Sequence, residues 1–119
     1  TPDLCPSGDG TRVALEVLGR AAASGQSLSS ILGAVQRFPI ARRKVAAGSR
    51  PPLESLDSLR VLLDEASKEL EAVDGRHLLR YSGTEPVLRV LVEGMDSDLV
   101  EAWAERIGTA AAAAIEASK

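Results

Sequence analysis

The stretch Arg80-Tyr81-Ser82-Gly83-Thr84-Glu85-Pro86-Val87-Leu88-Arg89-Val90-Leu91-Val92-Glu93-Gly94 decides the fold. Small, turn-forming residues from Ser82 to Pro86 separate two β-compatible runs, Arg76 to Tyr81 and Val87 to Glu93. That pattern predicts two strands in a hairpin-like arrangement, which sets Arg80 and Arg89 near each other. The turn also has the chemistry of an anion grip. Ser82, Gly83 and Thr84 can aim successive backbone N–H groups into one concavity, with Gly83 turning sharply and keeping the approach clear of a Cβ. The Ser82 and Thr84 hydroxyls add donors, and Arg80 offers a planar fork matched to phosphate oxygens. Pro86 closes the turn without an N–H to satisfy. Ser-Gly-Thr is equally ordinary turn chemistry, and an arginine beside it also suits a solvated strand position.

Outward from this stretch, Asp96 or Ser97 opens a last helix that carries Leu99, Val100, Trp103, Ile107, Ala111 and Ile115 on one side, with an alanine tract adding intrinsic helicity. Upstream, Leu56, Leu59, Leu63, Ala66, Leu70 and Val73 recur at three- and four-residue steps, which predicts a helix of about five turns ended by Asp74-Gly75. Phe38 to about Ala46 reads as a strand whose charged middle, Arg42-Arg43-Lys44, places it at a sheet edge. The basic triplet is read as a solvated edge with no function assigned. Gly48 to Pro52 breaks that strand. Nearer the N-terminus, residues 8–24 form an amphipathic helix capped by Asp9 and stopped by Gly25, and Ser27 caps a shorter helix that Pro39 prevents from continuing.

The order strand, helix, strand, strand, helix predicts an α+β fold with a small, mainly antiparallel sheet and helices on one face, preceded by a short helical segment. At 119 residues the chain has room for one core and little more. Phe38, Tyr81 and Trp103 are its aromatic residues, so stacking platforms for bases or sugar rings are few. A net charge of -3 with mixed signs argues against a broad nucleic-acid surface. Cys5 is alone and His77 is remote from it, which excludes an intrachain disulfide, a cysteine–histidine nucleophile pair and a zinc cluster. His77 is read as an ordinary strand histidine. The expectation is a soluble, cytoplasmic protein, with neither a signal peptide nor the run of roughly twenty apolar residues that crosses a bilayer. Gly8-Asp9-Gly10 supplies a single carboxylate, too few oxygens for magnesium, and Asp9 serves as a helix cap instead.

The motif from Arg80 to Gly94 resembles the C-terminal phosphate-binding loop of the phosphohexomutase superfamily, and most of all its phosphoglucosamine mutase branch. Gly8-Asp9-Gly10, the helix ending near Gly25, the Ser27-Leu28-Ser29 helix start and Phe38-Pro39 extend the resemblance over most of the chain. It implies that residues 1–35 are the final helices of a preceding α/β domain, that residues 36–119 are the C-terminal phosphate-binding domain, and that a hinge lies near Gln36 to Phe38. On matching positions it implies that Arg80, Ser82, Gly83 and Thr84 contact phosphate, with Arg89 as a second cation. Glu85 and Pro86 shape the turn. A carboxylate beside phosphate is unfavourable unless it points away, caps an N–H or anchors an arginine. Tyr81 replaces a common proline, and Arg42-Arg43-Lys44 is more charged than the corresponding strand of the family.

Members of the superfamily move a phosphoryl group between C1 and C6 of a hexose, using a phosphoserine and magnesium. The resemblance therefore implies a phosphosugar and the remaining domains of a parent enzyme as partners, and magnesium with a bisphosphorylated sugar activator for that full enzyme. This chain carries no active-serine loop, metal loop or sugar-recognition loop, so it is expected to bear no catalytic residue, to hold no metal and to be inactive alone. A phosphomannomutase or phosphoglucomutase parent, a stand-alone anion-binding module and a small interaction domain are the alternatives.

Overall fold

The computed structural model describes residues 8–119. Residues 1–7, with Cys5 and the start of the expected helical remnant, lie outside the described residues. The chain divides into two compact units, one ending at Arg37 and the other spanning Phe38–Lys119.

The first unit holds α1 (Gly10–Ser24) and α2 (Leu28–Gly33). Asp9 caps α1, its Oδ1 accepting the Arg12 N–H at 3.2 Å, and Gly25 closes it with a left-handed φ of 68°. Ser27 caps α2 through the Ser30 N–H at 3.1 Å. Neither helix contains a buried residue.

The second unit contains β1 (Ile40–Ala46), α3 (Asp57–Glu71), β2 (Arg76–Tyr81), β3 (Val87–Glu93) and α4 (Ser97–Ala117). The three strands form a wholly antiparallel sheet in the order β1-β3-β2. Placing β3 in the middle follows from its composition: Leu88, Val90 and Val92 are buried on one face, and a strand flanked on both sides satisfies its backbone completely. The charged β1 takes an edge, where like charges along a strand discourage pairing with another chain.

Both α3 and α4 pack on the face that bears Leu88, Val90 and Val92. From α3 come Leu59, Ala66 and Leu70; from α4 come Val100, Trp103, Ile107, Ala111 and Ile115. Trp103, the largest buried side chain, donates its Nε1–H to Glu69 at 2.8 Å, and the Arg106 guanidinium lies 4.1 Å from its ring centre. The indole is thus buried with its polar atom satisfied. Asp96 caps α4 by accepting the Asp98 and Leu99 N–H groups.

One helix is shorter than its periodicity predicts. The apolar series from Leu56 to Val73 is divided among Leu56, which lies between a 3-10 turn at Leu53–Ser55 and α3, the 15 residues of α3, and a closing turn in which Leu70 O accepts the N–H groups of Val73 and Gly75. The Gly75 N–H reaches it at 2.7 Å, which reverses the chain into β2. Asp74 sits there at a φ of 51°. A Cβ on Gly75 would lie 2.6 Å from the Glu93 carbonyl oxygen, and one on Gly94 would lie 3.2 Å from Gly75 Cα. The two glycines let the entry to β2 press against the exit from β3. Gly75→Ala is therefore expected to lower unfolding free energy by about 1–3 kcal/mol, as measured by chemical denaturation. An unchanged midpoint would show that this contact does not constrain the chain.

Candidate functional site

The face of the sheet away from the helices carries the charges. In register across the three strands, Lys44 lies opposite Arg89 and Arg89 opposite Arg80. Directly opposed side chains in antiparallel strands are about 4.5–5.5 Å apart at Cβ, and like charges so placed destabilise the sheet. The adjoining row, Arg42, Leu91 and Leu78, adds a fourth cation and two apolar side chains. These six residues help to line a cavity of about 210 Å³.

The basic triplet is therefore split by the pleat. Arg43 points to the helix layer, where its guanidinium meets Glu101 at 2.6 Å and Glu105 at 3.2 Å, and these bonds raise its pKa. Arg42 and Lys44 take the opposite face, beside Arg80 and Arg89. The sequence reading assigned the triplet no function because strand order decides which residue faces which neighbour. The one available signal was the two-residue alternation itself.

Glu85 is the counter-ion at one end of the cation row. Its carboxylate lies 2.9 Å from Arg89 Nη2 and 3.3 Å from Lys44 Nζ. Lys44, through its hydrogen bond and its charge, is the main cause that holds the Glu85 carboxyl below its ordinary pKa, with Arg89 adding to it. At the other end, the Arg80 side chain has no ion pair or hydrogen bond with any described residue.

The turn differs in detail from the expected nest. The Ser82 N–H is committed to the Val87 carbonyl at 2.9 Å, and the Glu85 N–H to Ser82 Oγ at 3.3 Å. Ser82 is 6% exposed, and its Oγ is also 3.5 Å from Arg89 Nη2. The N–H groups of Gly83 and Thr84 are left without an acceptor among the described residues, and both residues are exposed. The φ of Gly83 is not left-handed, and a Cβ there meets nothing within 4 Å. The turn does not need a glycine for its shape, so any demand for one comes from what approaches it.

The turn is buttressed by the loop after β1. Ala47 N–H donates to Pro86 O at 2.8 Å, Arg50 Nη2 to Glu85 O at 3.2 Å, and Tyr81 Oη to Pro51 O at 2.6 Å. Tyr81 faces the helix layer while Arg80 and Arg89 face the cavity; its burial raises its pKa. Sequence reasoning missed Arg50 and this role of Tyr81, since Pro51 is 30 residues distant in the chain. His77, also remote from the cavity, bonds Ser67 Oγ at 2.9 Å.

The Glu85 pairs have a pH signature. A carboxylate whose pKa is depressed in the folded state stabilises that state above its ordinary pKa, and the contribution disappears as pH falls through the depressed value. Carboxyl NMR titration is expected to show Glu85 titrating below ordinary glutamates, and Lys44→Met is expected to move it back up. Identical titration in the variant would contradict the pairing.

Comparison with known proteins agrees with this architecture. Residues 37–110 match the family model described as phosphoglucomutase/phosphomannomutase, C-terminal domain. A phosphoglucosamine mutase of Haemophilus influenzae is 43% identical over 109 residues, covering 91% of this chain and 24% of that protein. The corresponding enzyme of Streptomyces griseus is 38% identical over 105 residues, covering 88% of this chain and 23% of its own length. The chain thus spans about a quarter of the length of the curated relatives it matches. Among solved structures, Aspergillus fumigatus N-acetylphosphoglucosamine mutase in complex with glucose 1,6-bisphosphate superposes with a TM-score of 0.70 and 25% identity over 90% of this chain and 21% of that one. With the match over residues 37–110 lying on the sheet, its helices and the Ser82-to-Pro86 turn, the chain belongs to the phosphoglucomutase/phosphomannomutase C-terminal domain family.

Proposed function

We propose that residues 36–119 are the phosphate-gripping C-terminal domain of a phosphohexomutase of the phosphoglucosamine mutase type, whose full enzyme interconverts glucosamine 6-phosphate and glucosamine 1-phosphate. The observation that carries this reading is Arg80, set directly across from Arg89 without a counter-ion among the described residues, at the foot of a turn with two unmet N–H groups. A phosphate dianion supplies what that arrangement lacks, a counter-ion for Arg80 and oxygens for the Gly83 and Thr84 N–H groups, and adds a second anionic partner for Arg89 beside Glu85. The Ser82 and Thr84 hydroxyls add further donors. Glu85 and Pro86 shape the turn.

Phosphoryl transfer depends on positioning and on neutralising charge. In this reading the domain holds the non-reacting phosphate and so orients the sugar, and the reacting serine and the magnesium belong to other parts of the parent. Among the described residues no three His, Cys, Asp or Glu side chains converge into a metal-binding group. Residues 1–35 are read as the last helices of the preceding domain, with the hinge near Gln36 to Phe38, and the 119-residue chain alone as inactive. A cytoplasmic setting suits such an enzyme, and no described helix is long and apolar enough to cross a membrane. Relatives named phosphoglucosamine mutase support the amino-sugar assignment, as does a neighbouring structure that contains GlcNAc-6P and magnesium. Sugar choice among the hexoses rests on a loop that this chain does not carry.

Binding of glucosamine 6-phosphate, followed by amide NMR, tests the reading. Arg80→Ala is expected to weaken it by about 1.5–3 kcal/mol, the worth of a charge-assisted hydrogen bond, with the fold intact. Gly83→Ala is expected to leave stability unchanged or raise it by about 0.4–1 kcal/mol, yet to weaken binding because a Cβ obstructs the phosphate. Equal affinity for glucosamine and glucosamine 6-phosphate, or no effect of Arg80→Ala, would contradict the proposal.

A further inference from the structure

We infer that Lys44 is a further phosphate-contacting residue of this site, and that Glu85 is an internal counter-ion that holds Lys44 and Arg89 in place until phosphate replaces it. The inference rests on the reading of the turn as a phosphate grip.

Three observations carry it. First, β1 brings Lys44 into the same cross-strand row as Arg89 and Arg80, and all three line one cavity with Arg42. Arg42, Lys44, Arg80 and Arg89 line it, and of these four only Lys44 and Arg89 meet a carboxylate among the described residues, that of Glu85, in a chain whose net charge is -3. That local excess suits an anion of more than one charge better than a single carboxylate.

Second, Lys44 is joined to the turn through one group only. Its Nζ reaches Glu85 Oε1 at 3.5 Å and Oε2 at 3.3 Å, and Glu85 Oε2 also receives Arg89 Nη2 at 2.9 Å. The carboxylate thus stands between two cations as a phosphate oxygen pair would. A phosphate at the turn meets Arg80, the Gly83 and Thr84 N–H groups, and the cations that Glu85 now occupies. Exchanging one carboxylate for a dianion removes the like-charge repulsion along the whole row, which Glu85 relieves at one end only.

Third, the exchange requires little rearrangement. The Lys44 side chain is 61% exposed and the Glu85 side chain 44% exposed, so both are free to swing. The backbone beneath them is fixed by the bonds from Ala47 to Pro86 and from Arg50 to Glu85 O.

The test is the affinity of the 119-residue chain for inorganic phosphate and for glucosamine 6-phosphate, read from Ser82–Thr84 amide shifts. Lys44→Gln is expected to weaken both ligands about tenfold, as loss of one charge-assisted contact does, and Lys44→Arg to retain most of the affinity. Glu85→Gln is expected to tighten binding, since the competing carboxylate is gone. The double variant Lys44→Gln/Glu85→Gln separates direct contact from an effect through Glu85. Direct contact requires the Lys44→Gln loss to persist in the Glu85→Gln background; disappearance of the loss overturns the inference. If Arg80→Ala weakens binding while Lys44→Gln equals wild type, the Lys44 assignment fails and the phosphate site stands. If the wild-type chain binds neither ligand, both fail.

Discussion

The two-residue alternation of β3 is the constraint on which the rest of the domain depends. Leu88, Val90 and Val92 must enter the core beneath α3 and α4, and a slip of one residue would turn all three to the open face. Burying them fixes the register, and the register then places Arg89 on the other face between Lys44 and Arg80. The cation row is set by core packing. Glu85 offsets its like-charge repulsion at the Lys44 and Arg89 end, and Arg80 has no such partner among the described residues.

On the proposed reading, an arrangement maintained against its own repulsion is pre-organised for an anion, because the unfavourable proximity is sustained by folding and would be relieved on binding. The loop after β1 serves the same end. Through Ala47, Arg50 and Pro51 it fixes the turn from beneath, while Tyr81 anchors β2 from the core side. The helices and the site are thus related by one strand: its inward residues hold the fold and its outward arginine defines the site. This division suits the proposed reading, in which the domain orients a phosphosugar for chemistry performed elsewhere in a larger enzyme.

Much of this was legible in the sequence. Asp9, Ser27 and Asp96 announced their helices because a cap is a local interaction over two or three residues. The inward faces of α3 and α4 followed from periodicity, and the pairing of Arg80 with Arg89 followed from the short turn between their strands. The illegible parts are those set by long-range pairing. Lys44 reaches Glu85 across 41 residues, and Tyr81 reaches Pro51 across 30. No spacing rule connects them until β1 is known to lie beside β3. Gly83 was read as a residue that lets the chain turn sharply, whereas its backbone is not left-handed and the space beside it is open.

The central claim is that the Lys44, Arg89 and Arg80 row is an electrostatic cost of folding that phosphate relieves. The most direct measurement is thermal unfolding of the wild-type chain and of Arg80→Met, each with and without inorganic phosphate at fixed ionic strength. Without phosphate the variant should melt at or above the wild-type temperature, because one repulsive partner has gone. With phosphate the wild type should melt higher, as any ligand of the native state requires, and the variant should gain much less at the same phosphate concentration. A lower melting temperature for Arg80→Met in the absence of phosphate, or a wild type indifferent to phosphate, would contradict the account.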